Sequence, residues 1–322
     1  MHPPKLSRRE LLQRAGATAL VAATFPVAGT EAPDMPHLLI VGDWGRDGAL
    51  HQTEVARKMA SAAQRLHARG VVSVGDNFYN VGVQSVSDPH WSASFEAVYA
   101  APALQIPWYV ALGNHDYLGV PQAQIDYCAH SARWRMPARY YKVSGGEVGA
   151  PYADLFFIDT SPLVNEYRTE VHGAIAANVR GQDVAAQLQW LDAQLAQSRA
   201  PWKLVIGHHT LRSGGSAHGD TAEMVDRVLP LLRKHGVQAY INGHDHDLQH
   251  ICRDGMNYLC CGGGSEGRPV NRVDGMRFGV GQPGFATLGL AAQALHLEFI
   301  DTAGARIYAA DIDRAETARH LA

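Results

Sequence analysis

The chain has 322 residues, 46% of them apolar and 18% charged, a composition that excludes wholesale disorder. A formal net charge of −3 excludes a general nucleic-acid binder, which carries a basic excess. The length admits one large domain or two modest ones, and 17 histidines against 28 lysines and arginines make metal binding the first question to ask.

The first thirty residues read as an export address. Arg8-Arg9 follows Ser7 and precedes Leu11 and Leu12, and Ala15–Thr30 is uncharged and rich in Ala, Val and Leu. A basic segment before a short apolar one is the layout of a secretory signal, and the arginine pair points to the twin-arginine route. Residues 1–32 are expected to be removed, with cleavage between Ala28 and Ala32. The apolar run is too short for a bilayer span, which takes roughly 20 strongly apolar residues, so no stable membrane insertion is expected after cleavage. The protein is therefore expected to use the twin-arginine export machinery and to work in the periplasm or outside the cell.

One catalytic domain is expected over residues 37–322. Leu38–Val41 reads as a strand, and Gln52–Ala68 as an amphipathic helix stopped by Gly70. Val71–Val74 and Trp108–Ala111 are strands, with a helical Trp91–Tyr99 between them. Asp154–Ile158, Lys203–Ile206 and Ala239–Ile241 repeat the strand pattern, with helices over Val184–Leu195 and Ala222–Lys234. Then the character changes. Leu248–Cys252, Asn257–Cys261, Phe285–Leu290, Leu295–Ile300 and Arg306–Ala310 are strand-like, with little helix between. This is an α/β layout with a β-rich tail, consistent with two packed sheets covered by helices. Of the four cysteines, Cys128, Cys252, Cys260 and Cys261, the middle two flank a turn signal, Arg253-Asp254-Gly255, and are expected near each other. Three full disulfide pairings remain open.

Five strands end in a cluster of Gly, Asp, Asn and His. They are Gly42-Asp43-Trp44-Gly45, Gly75-Asp76-Asn77-Phe78-Tyr79, Gly113-Asn114-His115-Asp116, Gly207-His208-His209 and Asn242-Gly243-His244-Asp245-His246. In open α/β sheets the carboxyl ends of strands converge on one crevice, where ligands bind. A single cluster of this kind is a turn or a helix cap. Five in sequence supply carboxylates, an amide oxygen, imidazoles and a phenol without a thiolate, a set that suits iron, zinc or manganese. Trp44 either lines the pocket or packs the core. Asp116 and Asp245 are candidates to orient ligand histidines. Gly262–Gly267 matches G-x-G-x-x-G, but Pro269 follows in place of a helix, which excludes dinucleotide binding and leaves a loop at the site's rim. His51, His67, His235, His250 and His296 lie in helix or strand patterns and read as surface or core residues.

The order Asp-x-Gly, Gly-Asp-x-x-Tyr, Gly-Asn-His-Asp, Val-x-Gly-His and Gly-His-x-His spans Asp43 to His246. It resembles the purple acid phosphatases of the calcineurin-like metallophosphoesterase superfamily. Tyr79 in the second block is the discriminating residue, and the short chain is similar to the small, mammalian-type branch. The resemblance implies a four-layer α-β-β-α sandwich of two mixed β-sheets flanked by helices. It implies a ferric ion held by Asp43, Tyr79 and His246, and a divalent partner, Fe(II), Zn(II) or Mn(II), held by Asn114, His208 and His244. Asp76 would bridge the two. The expected catalytic residues are His115, near the phosphate, and His218, which is followed by Gly219; His209 is the other candidate for the second place. The implied activity is an exported acid phosphatase that hydrolyses small phosphate monoesters by attack of a metal-bound hydroxide. Two alternatives stand beside it: a phosphodiesterase or nucleotide hydrolase of the same fold, and an iron-binding redox protein without useful hydrolysis. Substrate preference is expected to come from the loops at 80–90, 117–139, 161–182 and 262–284.

Overall fold

The computed structural model describes residues 35–314 apart from 170, 172 and 254; the export signal expected over residues 1–32 lies outside them. Among the described residues, fourteen strands form two seven-stranded sheets. In the first, β1 (His37–Val41), β2 (Gly70–Val74), β3 (Trp108–Ala111) and β4 (Trp134–Arg135) run parallel. On the other side of β1, β12 (Gly284–Leu290), β13 (Ala294–Asp301) and β14 (Arg306–Asp313) continue antiparallel. In the second sheet, β6 (Ala153–Phe157), β7 (Trp202–Ile206), β8 (Ala239–Asn242) and β10 (Met256–Cys261) run parallel. β5 (Tyr141–Ser144) and β9 (Leu248–Arg253) join them antiparallel, and β11 (Met276–Val280) pairs antiparallel with β9 at the edge. Both sheets are mixed.

The layers follow from the two-residue period of a strand. In β6, Leu155 and Phe157 join an apolar cluster shared with the first sheet, while Phe156 faces the opposite way into a second cluster. Leu204 and Ile206 of β7 divide from Val205 in the same manner, as do Ala239 and Ile241 of β8 from Tyr240. A strand buried on both faces reads as a continuous apolar run, as these do. The outer cluster is closed by α4 (Val184–Gln197), α5 (Ala222–Arg227) and α6 (Leu229–Lys234), through Leu191, Leu195, Met224, Leu229 and Leu232. On the first sheet, α1 (Gln52–Leu66) buries Val55, Ala56, Met59, Ala62 and Ala63. Helices outside two stacked sheets give the α/β sandwich expected. Among the described residues no helix is long and apolar enough to cross a membrane.

Several boundaries differ from the sequence reading. The first helix ends at Leu66, where His67 takes the left-handed turn (φ 48°), and Gly70 opens β2 instead of stopping the helix. Histidine is among the residues that tolerate that conformation. The helix expected over Ala222–Lys234 breaks at Val228, because Pro230 offers no N–H to the carbonyl of Asp226 and its ring crowds that carbonyl. Trp91–Glu96 forms one wide π-helical turn, as Trp91, Phe95 and Tyr99 are all drawn into one aromatic cluster. The strands β4, β5 and β11 and the helices α2 (Pro121–Asp126) and α3 (Gly173–Val179) lie in stretches without a visible period, being too short to show one. Cys252 and Cys260 are not neighbours. In the β9–β10 hairpin Cys252 pairs with Asn257 and Cys260 with Gln249, an offset of about 10 Å along the strands, and all four cysteines are free thiols.

Trp44 packs the core and does not line the crevice. It is fully buried, edge-on to Phe78, Tyr99 and Trp108, and its indole donates to Ser73 Oγ at 2.8 Å. Aromatic pairs in this arrangement add to the burial of their area. Replacing Trp44 with Ala is expected to cost about 3–5 kcal/mol of stability, measured by urea-induced unfolding.

Candidate metal centre

The five strand-end clusters meet where the two sheets touch. Gly42 N donates to the carbonyl of Cys261 at 2.8 Å, and Asp43 N to that of Gly75 at 3.0 Å, so the ends of β1, β2 and β10 are stitched together. Three residues there adopt left-handed backbone: Asp43 (φ 60°), Asp76 (φ 50°) and His244 (φ 72°). Asp and His accept that region more readily than most side chains, and residues held in it concentrate at functional sites. Two glycines are required by close approach. A Cβ on Gly113 would lie 2.1 Å from Asp76 Oδ1, and one on Gly243 would lie 2.3 Å from Asp43 Oδ2.

The donors form two groups with one shared member. In the first group, Tyr79 Oη lies 3.0 Å from Asp43 Oδ1 and 3.1 Å from His246 Nε2, and His246 Nε2 lies 3.4 Å from Asp43 Oδ1. In the second, His208 Nε2 lies 3.2 Å from both Asn114 Oδ1 and His244 Nδ1. Asp76 Oδ2 stands between them, 2.8 Å from Tyr79 Oη and 3.5 Å from His208 Nε2. Donor atoms of Asp43, Asp76 and His208 all fall within 4.8 Å of one another, and all three residues are buried. All seven expected ligand positions are therefore in one crevice.

Buried charges are paired or coordinate metals. Here burial works against the Asp76 carboxylate, yet the charge and hydrogen bond of His208 hold it far below the usual carboxylate range. His208 is pushed up to about 9: burial lowers it, and Asp76 more than compensates. Burial, with Asp43 and Asp76 beside it, keeps the Tyr79 phenol well above its ordinary value. Burial also drives His244 well down, and the neighbouring imidazoles of His209 and His208 add to that, leaving a neutral donor. Two carboxylates, three imidazoles, an amide oxygen and a phenol packed this tightly fit a pair of cations of high charge.

Backbone and side chains hold the donors in place. His208 Nδ1 is 2.9 Å from the Val74 carbonyl, which turns Nε2 into the crevice. His246 Nδ1 is 2.6 Å from Glu266 Oε1. His115 N donates to Asp76 Oδ1 at 2.8 Å and His244 N to Asp43 Oδ2 at 3.1 Å. Asp116 and Asp245 do not orient histidine rings. Asp116 accepts from the backbone of Gly113 and Asn77 and from Gln124, and burial, with Asp76 nearby, pushes it up to about 7. Asp245 accepts from Ser213 Oγ and from the backbone N–H groups of His218 and Gly219. The two aspartates fix loops, and the ring partner that spacing missed is Glu266. Spacing carries no signal for it; its place follows from β10 running parallel to β8, so that the carboxyl end of β10 opens on the same crevice.

His115 and His218 flank the two donor groups. The His115 ring lies 4.4 Å from that of Tyr79, with Nδ1 2.7 Å from the Asn80 carbonyl. The His218 ring stacks on His244 at 3.9 Å and borders a cavity of about 300 Å³ shared with Tyr167 and Glu223. His209 is buried, with Nδ1 2.7 Å from Thr160 Oγ1 and Nε2 3.1 Å from Tyr167 Oη, so both its nitrogens are engaged, and its ring lines the same cavity.

Comparison with known proteins agrees with this geometry. The calcineurin-like phosphoesterase family profile matches residues 36–248. Purple acid phosphatase 7 of Arabidopsis thaliana is 44% identical over 234 residues, 71% of this chain and 70% of that protein. The chain is a purple acid phosphatase of the calcineurin-like phosphoesterase family. Human tartrate-resistant acid phosphatase type 5 is 32% identical over 319 residues, covering 92% of this chain and 96% of its own. Its match over nearly its whole length agrees with the small, mammalian-type resemblance. Two solved structures share the fold. One is GAP50, the anchor in the inner membrane complex of Plasmodium, with TM-score 0.73 and 24% identity over 89% of this chain and 94% of that one. The other is purple acid phosphatase PPD1 from yellow lupin seeds, with TM-score 0.65 and 16% identity over 88% of this chain and 55% of that one. The purple acid phosphatase is thus a metallophosphoesterase hydrolase with a candidate metal-binding group at its strand ends.

The loop bearing Asn114 and His115 is anchored to the second sheet. Tyr117 donates its hydroxyl hydrogen to Asp159, just past β6, and accepts from Arg139 Nη1 at 3.0 Å. Burial pushes the Asp159 carboxyl up to about 6. A carboxyl raised in the folded state binds its proton more tightly than the unfolded chain does, so its contribution is lost as pH rises from about 4 to about 6. Asp159→Asn is expected to flatten a fall in stability of up to about 1.4 kcal/mol per pH unit in that window, read from urea unfolding at pH 4, 5, 6 and 7.

Proposed function

We propose that the protein is an exported acid phosphatase that hydrolyses small phosphate monoesters at a dinuclear Fe(III)–M(II) centre, M being Fe(II), Zn(II) or Mn(II). The observation that carries this reading is the position of Asp76 Oδ2, within 3.5 Å of a donor from each group. Asp43, Tyr79 and His246 would hold the ferric ion, Asn114, His208 and His244 the divalent ion, with Asp76 shared. Tyr79 supports the assignment, because a buried phenol between two carboxylates gives up its proton only to a cation of high charge. The donors gathered there, carboxylate, amide and phenol oxygens with imidazole nitrogens, agree with hard or borderline metals.

When bound, such a pair polarises phosphoryl oxygens, acidifies water to supply the nucleophile and offsets the charge that builds up in the transition state. The protein's own groups do the rest. His115, its backbone N–H held by Asp76, presents its ring over the Tyr79 side of the mouth. His218 presents its ring over the His244 side, beside the cavity that would receive the leaving group. Each can donate a hydrogen bond to the phosphoryl group or a proton to the departing alkoxide, a contribution of roughly 10²–10⁴ in rate.

Metal analysis, the visible spectrum and turnover of an aryl phosphate against a bis-aryl phosphate test the reading together. Iron plus a second metal, a visible band and preference for the monoester are expected. An active but colourless, iron-free protein would remove the ferric assignment. Preference for the diester would favour a phosphodiesterase, and a coloured protein without turnover an iron-binding role. Tyr79→Phe is expected to abolish the band while sparing much of the activity.

Export through the twin-arginine route rests on Arg8 and Arg9 ahead of the apolar Ala15–Thr30. That route carries folded proteins, which suits a centre assembled before transport. Replacing Arg8 and Arg9 with lysine is expected to hold the precursor in the cytoplasm, measured by cell fractionation and immunoblotting; undiminished export would remove the assignment.

A further inference from the structure

The glycine-rich run after β10 forms part of the wall of the crevice. Gly264 N donates to the Gly42 carbonyl at 3.0 Å, and Ser265 Oγ to the Asp43 carbonyl at 2.6 Å. These bonds seat the next residue, Glu266, against the first donor group. A single oxygen, Glu266 Oε1, lies 2.6 Å from His246 Nδ1, 2.7 Å from Arg268 Nη2 and 3.5 Å from Arg46 Nη2. The Arg46 guanidinium also covers the Tyr79 ring, 3.8 Å from its centroid. His246 is buried and Arg46 is only 17% exposed at its side chain, while Glu266 and Arg268 reach them from the partly exposed rim.

We propose that Glu266 is a positioning residue for the Asp43–Tyr79–His246 half of the centre, holding His246 with Nδ1 protonated and Nε2 free to ligate, while Arg46 and Arg268 offset its charge at the mouth. The proposal rests on the reading of that half as the ferric site. An imidazole that gives its Nδ1 hydrogen to a carboxylate keeps the lone pair on Nε2, and Nε2 here points at Tyr79 Oη and Asp43 Oδ1. The two halves differ in this respect. His208 gives Nδ1 to a neutral carbonyl, that of Val74, whereas His246 is backed by a carboxylate. A carboxylate partner makes the imidazole the more basic ligand, and the half that has it is the half with the phenol, suited to the more highly charged ion. The two arginines keep the added negative charge from accumulating beside Asp43 and Asp76, and Arg46 stacks on the Tyr79 ring.

The test compares wild-type protein with Glu266→Gln and Glu266→Leu for metal content after graded exposure to a chelator and for the visible spectrum, with circular dichroism to establish folding. Glu266→Leu is expected to lose metal from the Tyr79 half about 10–100-fold more readily than wild type. Glu266→Gln keeps an oxygen acceptor and is expected to fall between the two. Its band should move to longer wavelength, because a less basic His246 leaves the ferric ion a stronger acceptor of electrons from Tyr79. A purely structural role for Glu266 would not move the band of a folded, loaded variant. Retention and spectra unchanged in both variants, with wild type holding two metals, would overturn this proposal alone. A wild-type protein that holds no metal would overturn the reading of the centre as well.

Discussion

The carboxylate of Asp76 is the point on which the site depends. One oxygen meets the phenol of Tyr79 from its own loop and the imidazole of His208 from the second sheet, and the other accepts the backbone N–H of His115. Three strand ends therefore converge on one side chain. Asp76 reaches that position because its backbone is left-handed and because Gly113, lacking a Cβ, lets the neighbouring loop pass against it. A buried carboxylate with so many polar partners is costly unless all of them are in register, so the arrangement demands rigid support.

That support is the double-sheet core. Parallel strands buried on both faces leave little freedom of register, since a slip of one residue would exchange the inter-sheet side chains for those facing the helices. Leu155 and Phe157 against Phe156 show how much apolar area would be misplaced. Behind the first sheet's loops, the rings of Trp44, Phe78, Phe95, Tyr99 and Trp108 fill the space under Asp43 and Asp76. The donors are thus mounted on strand ends whose own positions are fixed by packing, which gives precision that a freestanding loop would lack.

The histidines separate by environment. His208, His244 and His246 are buried around the carboxylates; His209 packs behind them on Thr160 and Tyr167; His115 and His218 stand at the mouth. Others serve elsewhere, as His250 of the second sheet does between its neighbour Asn257 and Tyr308 of the first sheet. The same side chain stands among the candidate donors, in the packing behind them and at the mouth, and burial together with the nearest charge sets the protonation of each.

The sequence alone carries the cores of the longer strands, the α/β class and the order of the candidate donors. These are local properties: a two-residue apolar period and the polar cluster that ends it lie within a few residues of each other. It could not carry which donors share an oxygen. Asp76 and His208 are 132 residues apart in the chain, and they meet only because β1 and β2 abut the second sheet at the β7 and β8 ends. For the same reason spacing does not reveal Glu266 as a ring partner, does not show that Asp116 and Asp245 hold loops instead of rings, leaves Trp44 open between pocket and core, and sets Cys252 and Cys260 too close. Each of those questions turns on strand register and on the meeting of segments remote in sequence, which only the packing of the two sheets fixes.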